Sequence, residues 1–191
     1  MNNFKTILLI LVFILLPKSN AISKEMIGII SAGIGNITNQ LDEKLINGSK
    51  IYFGDSIIVK EKSSAQILLL DETAITVGEN SEILLDEFLY DPETQVGKFN
   101  SKIKIGTFRM ITGKISKQNP DNLNVQLPVG VLGSRGTEFS VITASEEKST
   151  VVLLGPGPDN TLGMTPGRLR LTEGNFSVDI IRPGFQSEVF K

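Results

Sequence analysis

An all-β fold, either a two-sheet sandwich or a short β-solenoid of stacked strands, is the class this sequence predicts, and three observations point to it. After residue 22, short apolar-alternating runs are cut every eight to twelve residues or so by Gly, Asp, Asn or Pro, the spacing of strands joined by tight turns. Helical periodicity is scarce: Ile37, Leu41 and Leu45 recur every fourth residue, but without flanking caps, so that region reads as strand or loop. The length of 191 residues suits one domain with a real core and is too short for two of full size.

The elements follow in order. In KIYFGDSIIV, residues 50–59, Gly54-Asp55 is the expected turn between two strands. In SAQILLLDETAITVGENSEILLD, residues 64–86, breaks at Asp71-Glu72 and at Gly78-Glu79-Asn80 leave three strands. Asp and Asn suit such turns because their side chains bond nearby backbone and tolerate left-handed geometry, while Gly has no Cβ to clash. The series continues with residues 102–115, 124–129, 137–143, 149–154, 168–173 and 176–181 as strand segments. QNPDN at 118–122 and GPGPDNTLGMTPG at 155–167 read as the connecting loops, and residues 155–191 as a C-terminal β extension. Phe53, Phe108, Phe139 and Phe176 take alternating strand positions, which places them in the core rather than on a stacking platform.

The N-terminus carries Lys5, the apolar run ILLILVFILL at 7–16, and small residues Ser19 and Ala21 before a cut, the layout of a secretory signal peptide over residues 1–21. The run is about half of the ~20 residues a helix needs to cross a bilayer, so a retained N-terminal anchor is the weaker alternative. The expected mature chain, residues 22–191, is periplasmic or secreted. Cleavage after Ala21 leaves 17 basic against 21 acidic residues, a net charge of −4. Those basic residues are scattered among acids, so nucleic acid is not an expected partner.

The chain has no cysteine and no histidine. A disulfide framework, thiol catalysis, a Ser-His-Asp triad and the usual zinc ligand sets therefore cannot be built. Carboxylate pairs remain: Asp71 with Glu72, Asp86 with Glu87, Asp91 with Glu93, and Glu146 with Glu147. Most fall in turns, and neighbours on a strand point to opposite faces, so they are poorly placed to flank a sugar bond. No loop shows the dense oxygen-ligand pattern of a dedicated calcium site. No catalytic residue, cofactor or metal site is expected.

GVLGSRGTEFSV, residues 130–141, superficially suggests a phosphate loop. A Walker-type loop needs Lys and Ser or Thr directly after its last glycine at a helix start, whereas Gly136 is followed by Thr137-Glu138-Phe139 in strand-forming company. Gly136 then marks a bulge or a close backbone approach, with Arg135 and Glu138 paired to other charges at a sheet edge. Arg109 and Arg135 lie in apolar, strand-like surroundings; if buried, they must be paired or bind an anion, with Glu138 the nearest candidate partner.

Gly113-Lys114, the run VQLPVGVLGSRGTEFSV, and upstream Gly48, Gly54-Asp55, Ala65, Leu68, Asp71-Glu72-Thr73 and Ser81 together resemble the FecR family domain, from about Asn47 to Thr143. The block Arg135-Gly136-Thr137-Glu138-Phe139 is the most specific part. The resemblance implies an all-β periplasmic domain; in the founding system such a domain receives a signal from an outer-membrane siderophore receptor and passes it to a membrane-spanning anti-sigma protein. The family positions Gly54, Asp55, Asp71, Thr73, Arg109, Gly113, Arg135, Gly136, Thr137 and Phe139 are expected to be structural. Two departures stand out: the family's Asp-Gly-Thr turn is Asp71-Glu72-Thr73 here, which a turn accepts where φ stays negative, and its Thr-Pro is Leu127-Pro128. Only six residues precede the apolar run, so no cytoplasmic segment for a sigma factor is expected. The implied role is a non-enzymatic interaction or sensor module with an envelope protein partner, in signalling or assembly, its small-molecule ligand undefined. The alternative is a secreted structural or adhesion component assembling through sheet edges.

Overall fold

A computed structural model describes residues 24–156 and 166–191. The signal segment at 1–21 and most of the loop at 155–167 lie outside the described residues. The strands are β1 (Met26–Ile34), β2 (Ile37–Asn39), β3 (Lys50–Tyr52), β4 (Ser56–Val59), β5 (Ser64–Leu69), β6 (Ala74–Val77), β7 (Ser81–Tyr90) and β8 (Gly97–Ile111). A one-turn helix α1 (Lys114–Gln118) and a 3-10 turn (Pro120–Asn122) follow, then β9 (Leu123–Leu127), β10 (Gly130–Arg135), β11 (Glu138–Ser145), β12 (Lys148–Gly155), β13 (Arg168–Glu173), β14 (Phe176–Ile180) and β15 (Gln186–Phe190).

The fifteen strands of the described residues are hydrogen-bonded into one connected sheet, which divides at β8 into two wings. The C-terminal part of β8, from Gly106, pairs with β6 and β11, giving the order β3-β1-β5-β6-β8-β11-β12-β15. Its N-terminal part, up to Ile105, pairs with β7 and β9, giving β2-β4-β7-β8-β9-β10-β13-β14. The pairing of β8 with β9 is parallel; the other named pairs are antiparallel.

The strand changes wing at Gly106, whose φ of +115° is closed to ordinary L-residues, and where a Cβ would stand 2.0 Å from the Ser81 hydroxyl oxygen. Glycine is required there by both conformation and space. Inward-facing residues of both wings join one apolar cluster, with Phe99, Phe108 and Phe139 its largest fully buried side chains. Phe88 packs edge-on against Phe99 at 5.9 Å between ring centres. Each such phenylalanine removed from water contributes about 1.5–3 kcal/mol, so this shared cluster holds the wings together without any covalent crosslink.

Several sequence expectations need correction. Residues 114–115 are not strand: the chain leaves β8 at Ile111, and Lys114 begins α1. Residues 130–135 form a strand of their own, and β15 was not anticipated, its alternation being hidden by polar residues in QSEVF. Phe108 and Phe139 are buried, but Phe53 and Phe176 are exposed, because Phe53 sits in the β3–β4 turn and Phe176 opens the outermost strand β14. Glu72 has φ of +70°, not the negative value expected for the turn. Residues 37–45 are strand and turn, as the sequence predicts, with Leu41 exposed.

Candidate functional site

Five of the family positions, Asp71, Thr73, Gly113, Gly136 and Thr137, converge in one polar lock. Asp71, fully buried after β5, accepts bonds from the Thr73 amide at Oδ1 (3.0 Å) and from the Thr73 hydroxyl at Oδ2 (2.8 Å). This closes the β5–β6 turn locally, as Asp does when its side chain replaces a backbone partner. The same turn then captures the end of β8: the Lys114 amide donates to the Asp71 carbonyl (2.7 Å), the Gly113 amide to the Thr73 hydroxyl (3.0 Å) and the Ile115 amide to Asp71 Oδ2 (3.4 Å). Gly113 lies so close that a Cβ would stand 2.1 Å from the Asp71 carbonyl oxygen. Asp71 and Thr73 thus satisfy the orphan amides at the start of α1.

A second half of the lock belongs to the Arg-Gly-Thr stretch. Thr112 and Thr137 bond reciprocally: the Thr137 amide donates to the Thr112 hydroxyl (2.9 Å), and the Thr112 amide donates to the Thr137 carbonyl (3.1 Å). The Ser116 hydroxyl donates to the Ser134 carbonyl (2.8 Å) and accepts from the Gly136 amide (2.9 Å). Gly136, at φ +58°, makes the tight step from β10 in one wing to β11 in the other. The Thr137 hydroxyl reaches on to the Gly155 carbonyl. Sequence reasoning singled out Asp71, Thr73, Gly113, Gly136 and Thr137 but missed Thr112 and Ser116, which look like ordinary small polar residues until the fold places them.

Asp55 makes a smaller lock of the same kind. Buried after β3, it accepts from the Tyr52 amide (2.9 Å), the Gln40 amide group (3.3 Å) and Lys24 Nζ (3.1 Å), while Gly54 takes the turn at φ +78°. Phe139 belongs to the core.

Arg109 and Arg135 are surface residues, with side chains 54% and 46% exposed. Glu138 pairs with Arg109 (2.6 Å), and Arg135 pairs with Asp121 (3.2 Å). Neither is at a sheet edge: β10 runs between β9 and β13, and β11 between β8 and β12. Surface pairs of this type contribute little to stability.

The open surface lies at the other end of the sequence. Among the described residues β14 pairs only with β13, and β15 only with β12, so each presents one unpaired edge. A cleft of about 180 Å³ between them is lined by Leu171, Phe176, Val178, Glu188 and Val189, among others. Phe176 is 81% exposed and Val178 45%, although both alternate with the buried Ile180 on the inner face of their strand. On its outer face Asp179 receives two bonds from Arg170 and one from Arg168, which hold its carboxyl well below the usual carboxylate range. Among the described residues, no three of His, Cys, Asp and Glu gather into a metal-holding group, and no helix is long and apolar enough to cross a membrane.

The family model for FecR protein matches residues 55–156, which takes in Asp55, both halves of the main lock and the strands that carry them. The chain belongs to the FecR family. The span recognised by sequence, 47–143, lies largely inside that match, which runs further, to the end of β12. No curated protein matches. Among solved structures, this FecR chain resembles two crystal structures, at 1.65 and 2.50 Å resolution, of a candidate anti-sigma factor from Parabacteroides distasonis ATCC 8503. Identities are 12% and 14%, with TM-scores of 0.50 and 0.51. Each match covers 71% of this chain and 54% of the other, so the FecR chain spans about half the length of those structures. At that identity the likeness is one of fold.

Proposed function

We propose that this FecR protein is an exported, periplasmic interaction or sensor module that works without catalysis and engages a protein partner in envelope signalling. The observation that carries the reading is the open edge of β14, where Phe176 and Val178 stand exposed beside unpaired backbone groups. β-rich domains recruit partners by adding a strand to such an edge, main-chain bonds supplying affinity and alternate side chains specificity. The chemistry of the family residues agrees with it: the oxygens of Asp71, Thr73, Thr112 and Thr137 are engaged in holding backbone, which favours a structural over a reactive role. The anti-sigma assignment of the structural neighbour supports signalling as the setting. One domain over residues 22–191 fits the pairing of β13 with β10 and of β15 with β12, and the presence of Leu169, Leu171, Ile180 and Val189 in the common core. Residues 1–21 act as the cleaved export signal.

The same edge would serve a secreted structural protein that polymerises edge to edge, and one experiment separates the two. A photo-crosslinking residue is placed at position 176, and in a second chain at position 53, also exposed but at the opposite end. The expected result is a discrete adduct with one other envelope protein from position 176 and none from 53. Ladders of the chain with itself would transfer the reading to the structural alternative; no adduct from 176 would remove β14 as the interaction edge. N-terminal sequencing of the exported chain distinguishes cleavage after Ala21 from a retained anchor.

A further inference from the structure

The outer face of the second wing carries three arginines around a depression of about 140 Å³. Arg135 ends β10, Arg168 stands directly opposite it on β13, and Arg170 follows two residues later on the same face. Like charges directly opposite one another on paired strands are destabilising. The protein's own acids offset this only in part. Asp121, on the exposed 3-10 turn, takes one bond from Arg135, and Asp179 takes one from Arg168 and two from Arg170. A guanidinium offers five N–H donors in a planar fork, so most of the donors of this trio are unused by these pairs. Among the described residues, Arg168 Nε is buried without a hydrogen-bond partner.

Between these side chains the floor is bare. Gly133 lies opposite Arg170 on one side and Asn124 on the other, so it occupies the middle of the row. Its backbone does not demand glycine: it has no positive φ, and a Cβ there would come no closer than 3.8 Å to any neighbour. Unlike Gly106 or Gly113, then, Gly133 keeps a hollow open rather than permitting a turn or a close approach. Among the described residues that line it, Asp121 is the one acid against three arginines, and Thr172 and Asn124 add neutral polar groups.

We propose that this hollow binds a tetrahedral oxyanion of the phosphate class, free or esterified, held by Arg135, Arg168 and Arg170 above the backbone of Gly133. Three guanidinium groups from two strands, each with N–H donors left over from its pair with Asp121 or Asp179, suit an anion with oxygens in several directions, whereas a planar carboxylate best matches one fork. The inference is independent of the partner proposed for β14.

Arginine Nε–H signals of the full ¹⁵N-labelled chain, followed while inorganic phosphate replaces chloride at constant ionic strength, test it. Saturable shifts at Arg168 and Arg170 are expected, with acetate roughly 10-fold weaker, as one-fork binding implies. Glycerol phosphate binding more tightly than inorganic phosphate would assign the site to an esterified ligand, and weaker binding to the free anion. Gly133→Val, which fills the floor with a strand-compatible side chain, should abolish the shifts while leaving the melting curve cooperative; Arg168→Gln serves the same purpose should that variant unfold. Shifts that do not saturate, that chloride reproduces, or that persist in a folded Gly133→Val chain would overturn the proposal.

Discussion

At one end of the double sheet the edge strands β2 and β3 have three residues each; at the other, β14 and β15 have five each. Every residue of β2 is buried, and the loops beside it are tied by Asn39, Gln40 and Asp55. On β14 only Ile180 is buried. Short, covered edges are how β proteins avoid unwanted pairing, and a longer exposed one is a template for another strand. The locks of Asp55, Asp71 and Thr137 fall within the family match at residues 55–156, whereas β1, β2 and β3 precede it and β13, β14 and β15 follow it. The family match therefore covers the locks that join the two wings, and the outermost strands at both ends of the double sheet lie outside it.

The largest effect expected from breaking the closed part is at Gly106. Gly106→Ala forces an L-residue to φ +115° and drives a methyl group into Ser81, so β8 can no longer pass between wings. Strain and overpacking together should cost about 3 kcal/mol or more, read as a lower urea midpoint. The same substitution at Gly184, at φ +80° in the open C-terminal region with no neighbour near its Cβ position, should cost clearly less. Equal losses at the two sites would refute the distinction between closed and open parts.

Asp71→Ala comes next. It strips acceptors from the Thr73 amide and hydroxyl and from the Ile115 amide in a site sealed from water. Leaving buried donors unsatisfied should cost about 2–3 kcal/mol. A chain melting within a degree of the parent would mean that water enters the lock and restores those bonds.

How far this architecture was legible in sequence can be argued from the same residues. Turn chemistry was local and readable: Gly54-Asp55, Asp71-Glu72 and Gly78-Glu79-Asn80 each join the strands they were expected to join. The lock was only half legible, because Asp71 bonds within its own turn, whereas Thr112 meets Thr137 across 25 residues and Ser116 meets Gly136 across 20. Nothing in a run such as ITGKIS announces such a partner. Phe176 misled for the opposite reason. Period-2 alternation gives the face a side chain points to, but not whether the sheet continues far enough to cover it. The arginine hollow was invisible as a site, since Arg135 and Arg168 are brought opposite each other only by the pairing of β10 with β13.

At the open end, Asp179→Asn should have a smaller effect, lowering Tm by about 2 °C at pH 7, because its pairs with Arg168 and Arg170 are partly solvated. The pH dependence is the sharper test. The hydrogen bonds from Arg170 and then Arg168 place the folded carboxyl below its unfolded value. Over the window between the two, the unfolded chain binds the extra proton, so the contribution is fully present above about pH 5 and is lost as pH falls below about 4. The stability difference between parent and Asp179→Asn should therefore shrink on acidification. A difference that grew as pH fell would reverse the sign of the assignment.

The smallest effect is expected at Glu72, which lies in the closed part yet is itself exposed. Its φ of +70° belongs to the left-handed region, where an ordinary side chain crowds the following carbonyl and glycine does not. Against that strain stands an ion pair with Lys114 at 2.6 Å, which lowers the Glu72 pKa and raises that of Lys114. The pair ties the β5–β6 turn to the first residue of α1, outside the lock that Asp71 makes within. Glu72→Gly should relieve the backbone and lose a screened surface pair, a net rise in Tm of about 1 °C. The rise should be larger in 0.5 M salt, where the parent has already lost most of the ion pair's benefit. A fall in Tm that salt abolishes would show instead that the Glu72–Lys114 pair outweighs the strain, and that the lock continues out to the surface at this turn.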